Sequence, residues 1–372
     1  MWPTNYLESR DRFRQLLDRV QAHWPSARLD QFAPYGDDLS IDWISTEAIE
    51  RPAQRVILTT GEHGIEAFAG VAMLHLFVDE YLPLLDPRRT GILLVHAINP
   101  WGMQQRRRVN RANVDINRNF VWSLAELDAT TNGDYARLNW LLNPAGPITN
   151  LSLSKTAFLW HVARSLLTSG AGRLRAATLL GQYRYPHGIY YGGDTLQPET
   201  QRLSALYREH FRAYDHIVLL DMHTGYGPRD QMSLVNSSLE PRNSVELQRA
   251  FDYPLVVKAD PDEFYAIHGD MIDYAYRLVR EEFSGQRLYA TTFEFGTLGD
   301  STLAGLRSLR ALILENQLQQ HGARHAHSRV AIQRDFDELF APTSPKWQTK
   351  AMADAHRALH GILQAERIIA HC

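Results

Sequence analysis

Histidine and carboxylate side chains follow three predicted strands, at the points where those strands end. His63 and Glu66 come directly after the apolar run Val56–Thr60. His223 follows the end of a second apolar run, and Glu294 lies close to the end of a third. Ligands of open α/β sheets collect at the carboxyl ends of the strands. We therefore expect these four side chains to meet at one edge of a sheet.

This set of residues favours hydrolysis at a zinc ion. Catalytic zinc takes three protein ligands, His and Asp or Glu among them, and keeps a fourth position for water. His63 and Glu66 lie three residues apart across the first turn of a predicted helix, so both can bind one ion. His223 is the candidate for the third, distant ligand. Glu294 is then left to take a proton from the water and return it to the leaving group.

Each of these residues also has a purely structural explanation. A His-x-x-Glu pair is expected about once by chance in a chain with this much His and Glu. His223 alone could be a core histidine, and Glu294 alone could be the partner of an arginine. Their conjunction at predicted strand ends favours a shared site, because a buried set of histidines and carboxylates without a metal is costly.

Composition excludes several other kinds of site. The chain has 372 residues and a net charge of −3, which provides no general attraction to nucleic acid or to an anionic membrane. Arg106-Arg107-Arg108 with Arg111 could bind phosphate, but no aromatic residues are interleaved with these arginines. Cys372 is the only cysteine, so an intrachain disulfide and a cysteine metal cluster are excluded. A metal site would need His and carboxylate ligands.

The N-terminal residues do not resemble a targeting segment. No basic stretch is followed by an apolar one, and no later apolar run approaches the roughly 20 residues of a membrane span. We expect a cytoplasmic protein with neither a membrane nor a nucleic-acid partner.

Periodicity predicts alternating strands and helices. Strands are predicted at Ile41–Ser45, Val56–Thr60, Gly91–Ala97, His216–Asp221, Pro254–Val257 and Leu288–Phe295. Helices are predicted at about Tyr6–Trp24, Glu66–Leu82, Lys155–Leu167, Pro198–Tyr214, Ser244–Phe251, Asp270–Phe283, Ser301–His321 and Lys346–Ala365. Such alternation predicts an α/β fold, with a mostly parallel sheet covered by helices on both faces.

Neither an internal repeat nor a low-complexity linker divides the chain. We therefore expect residues 1–372 to form a single domain. The region 124–181 carries no predicted strand and is mostly helical, which indicates an insertion over one edge of the sheet.

Five motifs in the chain resemble those of the zinc carboxypeptidase A-like metallopeptidases. In chain order they are His63-x-x-Glu66, Asn99-Pro100-x-Gly102, Asn113-Val114-Asp115-Ile116-Asn117-Arg118-Asn119-Phe120, Asp221-x-His223-Thr224-Gly225 and Thr292-Phe293-Glu294-Phe295-Gly296. The segment from Gly181 to Gly193 is typical of an uncharacterised bacterial branch of that family, with a domain of unknown function. The resemblance implies a mixed, mostly parallel sheet, a single zinc ion held by His63, Glu66 and His223, and Glu294 as general base and acid.

The resemblance also implies how a substrate is bound. Asn117 and Arg118 match the pair that grips a terminal carboxylate, for which a planar guanidinium is well suited. An arginine upstream of that pair polarises the scissile carbonyl and stabilises the oxyanion; Arg108 is favoured by its spacing, with Arg107 as the alternative. Asp115 matches the carboxylate that orients the first zinc histidine.

The chain departs from the better-studied relatives at two points. Ile65 stands where they carry an arginine before the zinc glutamate. Their flexible tyrosine, which covers the substrate, has no clear counterpart; Tyr265 is our candidate because its neighbours predict a loop, and Tyr274 is the alternative.

The sequence therefore predicts a zinc hydrolase of the carboxypeptidase type, whose substrate is a peptide or an N-acyl-amino acid. An alternative is an N-acyl-amino-acid deacylase of the aspartoacylase kind, although those enzymes usually add a β-rich C-terminal domain and Lys346–Ala365 is predicted to be helical. A second alternative is a catalytically silent binding protein. The sequence leaves the side-chain preference and the oligomeric state open.

Overall fold

An eight-stranded mixed sheet forms the centre of the protein. The computed structural model describes residues 2–36, 38–127, 132–170, 172–173, 177, 180–259 and 268–370. The strands are β1 (Arg28–Phe32), β2 (Ile41–Thr46), β3 (Gln54–Thr60), β4 (Thr90–His96), β5 (His216–Gly225), β6 (Met232–Asn236), β7 (Val256–Lys258) and β8 (Arg287–Gly296). Their order across the sheet is β1-β2-β4-β3-β5-β8-β6-β7.

The middle of the sheet is parallel and its margins are partly antiparallel. Strands β4, β3, β5 and β8 run parallel to one another. Strands β1 and β2, β2 and β4, and β6 and β8 are antiparallel pairs, whereas β6 and β7 are parallel. Four of the seven pairs are thus parallel, and the predicted fold class is confirmed.

Helices fill the connections between the strands. They are α1 (Tyr6–Arg14), α2 (Leu16–Gln21), α3 (Ala67–Leu76), α4 (Pro100–Gln104), α5 (Gly133–Leu142), α6 (Leu151–Ser169), α7 (Pro198–Phe211), α8 (Ser244–Phe251), α9 (Met271–Glu282), α10 (Thr302–His321), α11 (Ala326–Phe340) and α12 (Pro345–Ala365). Helices α5 and α6 lie in the region 124–181, whose described residues include no strand beyond an isolated bridge at Ile148.

Alternate residues of the central strands enter two different hydrophobic cores. Val56 and Leu58 of β3 pack on one face with residues of α3 and α12, whereas Ile57 packs on the other face with residues of α7 and α9. Both faces are therefore buried, which explains why the central strands read as continuous apolar runs.

The most apolar helical segment, Gly64–Leu84, begins at the candidate metal site. Its length and composition would allow it to span a membrane, but 72% of an apolar 18-residue stretch within it is buried inside the protein. It packs against β5 and against α1 and α12. Core burial accounts for its apolar character.

The sheet order places the candidate site at a topological switch point. From β3 the chain passes to β4 on one side and later returns to β5 on the other side. The connections that leave the carboxyl ends of these strands therefore diverge, which opens a crevice there.

We predict that His96, at the end of β4, makes the fold sensitive to acid. Its ring is buried and contacts the hydroxyls of Ser9 and Thr60 at 2.8 and 2.7 Å. Burial lowers its pKa to about 3, from 6.5. Below pH 6.5 the unfolded chain binds a proton that the folded chain does not, so stability decreases by about 1.4 kcal/mol per pH unit as the pH falls from 6.5 towards 3.

Urea unfolding at pH 7 and pH 5 tests this prediction. We expect wild type to lose about 2 kcal/mol more stability between these pH values than His96→Gln, whose amide keeps a donor and an acceptor but does not titrate. Equal losses in the two proteins would contradict the assignment.

Candidate active site

The loop after β3 holds His63 and Glu66 through close backbone packing. Gly61 has φ +73°, and a Cβ there would lie 2.7 Å from the Cβ of Ala67. A Cβ on Gly64 would lie 2.1 Å from the backbone nitrogen of Met103. Only glycine fits these two positions, so the loop can turn sharply into α3 and present both side chains to the crevice.

Three side chains point their ligand atoms at one another. His63 Nδ1 lies 3.0 Å from His223 Nδ1 and 3.0 Å from Glu66 Oε1, and His223 Nδ1 lies 3.1 Å from Glu66 Oε2. Zinc bonds of about 2.0–2.1 Å in a tetrahedral site separate the ligand atoms by about 3.3 Å. The structure thus brings the three predicted ligands together at a spacing and with atom types that fit one zinc ion.

Two carboxylates hold the far sides of the histidine rings. His63 Nε2 lies 3.1 Å from Asp115 Oδ1, and His223 Nε2 contacts Asp221. The hydroxyl of Thr59 donates to Asp221 at 2.6 Å. Such partners fix a ring so that its other nitrogen faces the metal. Only Asp115 was predicted to orient a histidine; Asp221 belongs to the motif Asp221-x-His223 but was given no role.

Glu62 is an additional buried carboxylate that the sequence analysis missed. One of its oxygens lies 3.2 Å from His223 Nε2, and neither oxygen accepts a hydrogen bond from the described residues. Burial raises its pKa to about 7. Glu62, His63 and His223 also lie close enough to hold a metal. Glu62 faces the outer nitrogen of His223, however, whereas Glu66 faces the inner nitrogen of both rings and is the better partner for one shared ion.

Arg108, rather than Arg107, lies at this group of ligands. Its guanidinium donates to Glu66 at 3.1 Å and to Asp115 at 3.0 Å. Arg107 instead pairs with Glu315 at 2.7 Å, away from the histidines. Burial opposes the charge on Asp115, but the neighbouring cations, Arg108 foremost, hold its pKa well below the usual range.

The remaining arginines of that stretch point to separate partners. Arg106 pairs with Asp337 at 3.0 Å, and Arg111 lies 5.5 Å above the ring of Tyr35. These contacts account for the two charges without a phosphate group.

Arg118 is fixed by packing against two glycines, and Asn117 is fixed by a hydrogen bond. A Cβ on Gly181 would lie 2.7 Å from the side chain of Arg118, and a Cβ on Gly269 would lie 2.3 Å from its carbonyl oxygen. The Asn117 amide oxygen accepts from the backbone nitrogen of Met271 at 2.9 Å. These contacts position both polar side chains at the wall of a cavity.

Glu294 is the cross-strand neighbour of His223 in the parallel pair β5 and β8. Its carboxylate accepts a hydrogen bond from the backbone nitrogen of Tyr226 at 2.9 Å. Burial and the neighbouring Glu66 raise its pKa to about 7. A carboxylate with this pKa can exchange a proton at neutral pH.

A cavity of about 490 Å³ joins these groups. Six of the predicted site residues line it, namely His63, Arg108, Asn117, Arg118, His223 and Glu294. Tyr190, Tyr226 and Asp270 also line it and were missed from the sequence. Tyr190 belongs to the segment Gly181–Gly193, so its family motif could have pointed to it. The position of Asp270 depends on the packing of α9.

Tyr274, the alternative to Tyr265, does not line the cavity. Tyr274 is buried beside the rings of Phe120 and Trp122. Ile65 is fully buried in a hydrophobic core. Tyr265 lies outside the described residues.

We predict that Glu66 and Glu62 differ in their effect on metal binding. Glu66→Gln should weaken zinc binding by more than about 100-fold, because that is the upper range for groups that only orient a ligand. Glu62→Gln should weaken it by less than about tenfold. Competition with a chromophoric chelator measures both affinities, with His223→Ala as the variant expected to lose the metal. The reverse order would show that Glu62 is the ligand.

Several solved structures resemble this one at low sequence identity. Carboxypeptidase A from Helicoverpa armigera is 14% identical, with 91% of this chain and 74% of that chain covered and a TM-score of 0.47. Murein-tripeptide amidase from Escherichia coli O157 is 18% identical, with 81% and 95% covered and a TM-score of 0.38. An aspartoacylase family protein from Mesorhizobium loti is 17% identical, with 80% and 67% covered and a TM-score of 0.36. No curated protein matches the sequence.

One family model matches nearly the whole chain. It describes a protein of unknown function, DUF2817, and it matches residues 2–354. The match includes every motif discussed above and continues through α10 and α11. The chain therefore belongs to the DUF2817 family of proteins of unknown function, as its resemblance to an uncharacterised branch predicts.

Proposed function

We propose that this protein is a zinc-dependent hydrolase that cleaves an amide bond next to a free carboxylate, in the manner of a carboxypeptidase. The observation that carries the proposal is the mutual approach of His63 Nδ1, His223 Nδ1 and Glu66 to within 3.0–3.1 Å, beside a cavity that also contains Glu294 and Arg118. Residues 1–372 are proposed to form one catalytic domain, because residues from both halves of the chain line the cavity.

The proposed roles follow from what each side chain can do. A bound zinc ion would supply an activated water at neutral pH. Glu294, with its pKa raised to about 7, accepts the proton of the attacking water and then donates it to the leaving amine. Arg108 lies beside the ligands and stabilises the negative charge that develops on the carbonyl oxygen.

Asn117 and Arg118 recognise the carboxylate of the substrate. Arg118 is almost fully buried, and its position is set by Gly181 and Gly269. A guanidinium held in this way offers its donors in a fixed plane, so a carboxylate is bound with defined geometry. The amide bond next to that carboxylate is thereby placed at the metal ligands.

A deacylase of the aspartoacylase kind is the second candidate. The described residues after β8 form helices α10, α11 and α12 and no strand. The predicted helix at the end of the described residues is present as α12 and belongs to no β-rich unit, which supports the carboxypeptidase type. A screen of short peptides against N-acetylated amino acids separates the two.

We predict that Glu294→Gln retains zinc but loses turnover. The variant keeps a side chain of the same size and leaves the ligands intact, while it removes a proton acceptor worth about 10²–10⁴-fold in rate. Metal analysis and a screen of peptides and N-acyl-amino acids, run on wild type and variant, measure both properties. A zinc-loaded Glu294→Gln protein with wild-type activity would refute the mechanism.

We predict that Arg118→Met weakens the binding of substrates with a free carboxylate. Hydrogen bonds to charged groups contribute about 1.5–3 kcal/mol, so KM should rise by about 10–150-fold with a smaller change in kcat. The matched control is the same substrate with a C-terminal carboxamide, for which KM should hardly change. An equal effect on both substrates would contradict carboxylate recognition by Arg118.

A further inference from the structure

One wall of the cavity is made of apolar side chains. Leu306, Leu309 and Leu312 come from α10, and Leu339 and Phe340 come from the end of α11. The three leucines of α10 are spaced three residues apart, so they share one face of the helix. This apolar wall, defined by these five residues, contrasts with the polar wall around Asn117 and Arg118.

The apolar wall begins at the candidate metal centre. The ring of Phe340 lies 5.7 Å from the guanidinium carbon of Arg108. The carbonyl oxygen of Phe340 accepts a hydrogen bond from the hydroxyl of Thr224, which directly follows His223. A group bound against this wall would therefore adjoin the carbonyl that Arg108 is proposed to polarise.

Packing from behind makes the wall a preformed surface. Leu309 and Leu306 join a hydrophobic cluster with Leu138 of α5 and Phe158 of α6, in the helical insertion. Leu312 joins another cluster with Phe336 of α11. The leucines therefore need no large rearrangement to accept an apolar ligand.

Space for such a ligand remains at the position of Gly305. Gly305 lines the same cavity, and a Cβ placed on it would have no atom within 4 Å. Gly305 lies on the same face of α10 as Leu309 and Leu312, so a larger side chain there would extend from that face beside the apolar wall. This position therefore offers a way to fill the space beside the apolar wall.

On the basis of the proposed function, we propose that the apolar wall binds the acyl half of the substrate and selects amides whose acyl group is apolar. The amino-acid half is assigned to Asn117 and Arg118, and the scissile carbonyl is assigned to Arg108 and the metal ligands. The acyl half then lies against the wall that contacts Arg108, which is the apolar one.

Alkyl hydroxamates test this proposal without knowledge of the natural substrate, because the hydroxamate group binds zinc and its alkyl chain is then held next to the metal site. The probes are acetohydroxamate and octanohydroxamate, added to the zinc-loaded full-length protein and measured by calorimetry. Each buried methylene strengthens binding by roughly fourfold, so the longer probe should bind at least about 100-fold more tightly. The heat-capacity change on binding should also become more negative.

Substitutions at Gly305 test where the alkyl chain of the probe binds. Gly305→Phe should remove most of the gain from chain length, while the affinity for acetohydroxamate stays within about threefold of wild type. Gly305→Ala and Leu303→Phe are the matched controls; Leu303 is 80% exposed on the same helix and does not line the cavity. Replacement of a helical glycine does not weaken the helix, so the variants should fold.

The outcomes separate this inference from the proposed function. Absence of bound zinc and of acetohydroxamate binding would overturn both. Binding of acetohydroxamate without a gain from the longer chain would overturn the apolar subsite alone. A gain that persists in Gly305→Phe would place the alkyl chain elsewhere in the cavity and would also overturn it.

Discussion

An excess of buried negative charge at the carboxyl ends of β3 and β5 is the constraint on which the site depends. The carboxylates are Glu62, Glu66, Asp115 and Asp221. Arg108 pairs with Glu66 and Asp115, and Arg118 is a second cation near Asp115. Burial makes such an imbalance costly. Burial also opposes a charged His223, but Asp221 and the glutamates outweigh that effect and raise its pKa well above the ordinary value. A divalent ion bound by His63, Glu66 and His223 would reduce this imbalance.

The sheet order explains why distant motifs meet. Strand β3 lies between β4 and β5, and β8 pairs with β5 in a register that aligns Glu294 with His223. In the connection after β3, the backbone nitrogens of Gly64 and Ile65 donate hydrogen bonds to the carbonyl oxygens of Arg108 and Arg107. The loop that carries His63 and Glu66 is therefore hydrogen-bonded to the segment that carries Arg108.

The fold was predictable from the sequence where burial is complete. All six predicted strands are present. Most of them are buried on both faces and therefore appear as apolar runs, whereas β7 is a partly buried edge strand. The edge strand β1 is polar, and the buried strand β6 has its apolar residues interrupted by Ser233 and ended by Asn236; both strands were missed. Helix α11 was missed because its buried residues are few and are separated by polar ones.

The site was predictable only in part. The meeting of His63, Glu66 and His223 followed from strand ends and motifs. Glu62 lies in the loop after β3 and Asp270 lies at the start of α9. The directions of their side chains depend on tertiary packing, which the local sequence pattern does not determine. The choice between Arg107 and Arg108 likewise depended on Glu315, a partner about 200 residues away in the chain.

The burial of the segment Gly64–Leu84 has a consequence for the protein as a whole. Glu66 lies in the first turn of this segment, which then crosses the hydrophobic core. A ligand that binds only the folded state stabilises it in proportion to the logarithm of its concentration above the dissociation constant. Since Glu66, one of the proposed metal ligands, begins the helical segment that packs in the core, a bound metal would stabilise the whole fold against heat, and the metal-free protein would unfold at a lower temperature.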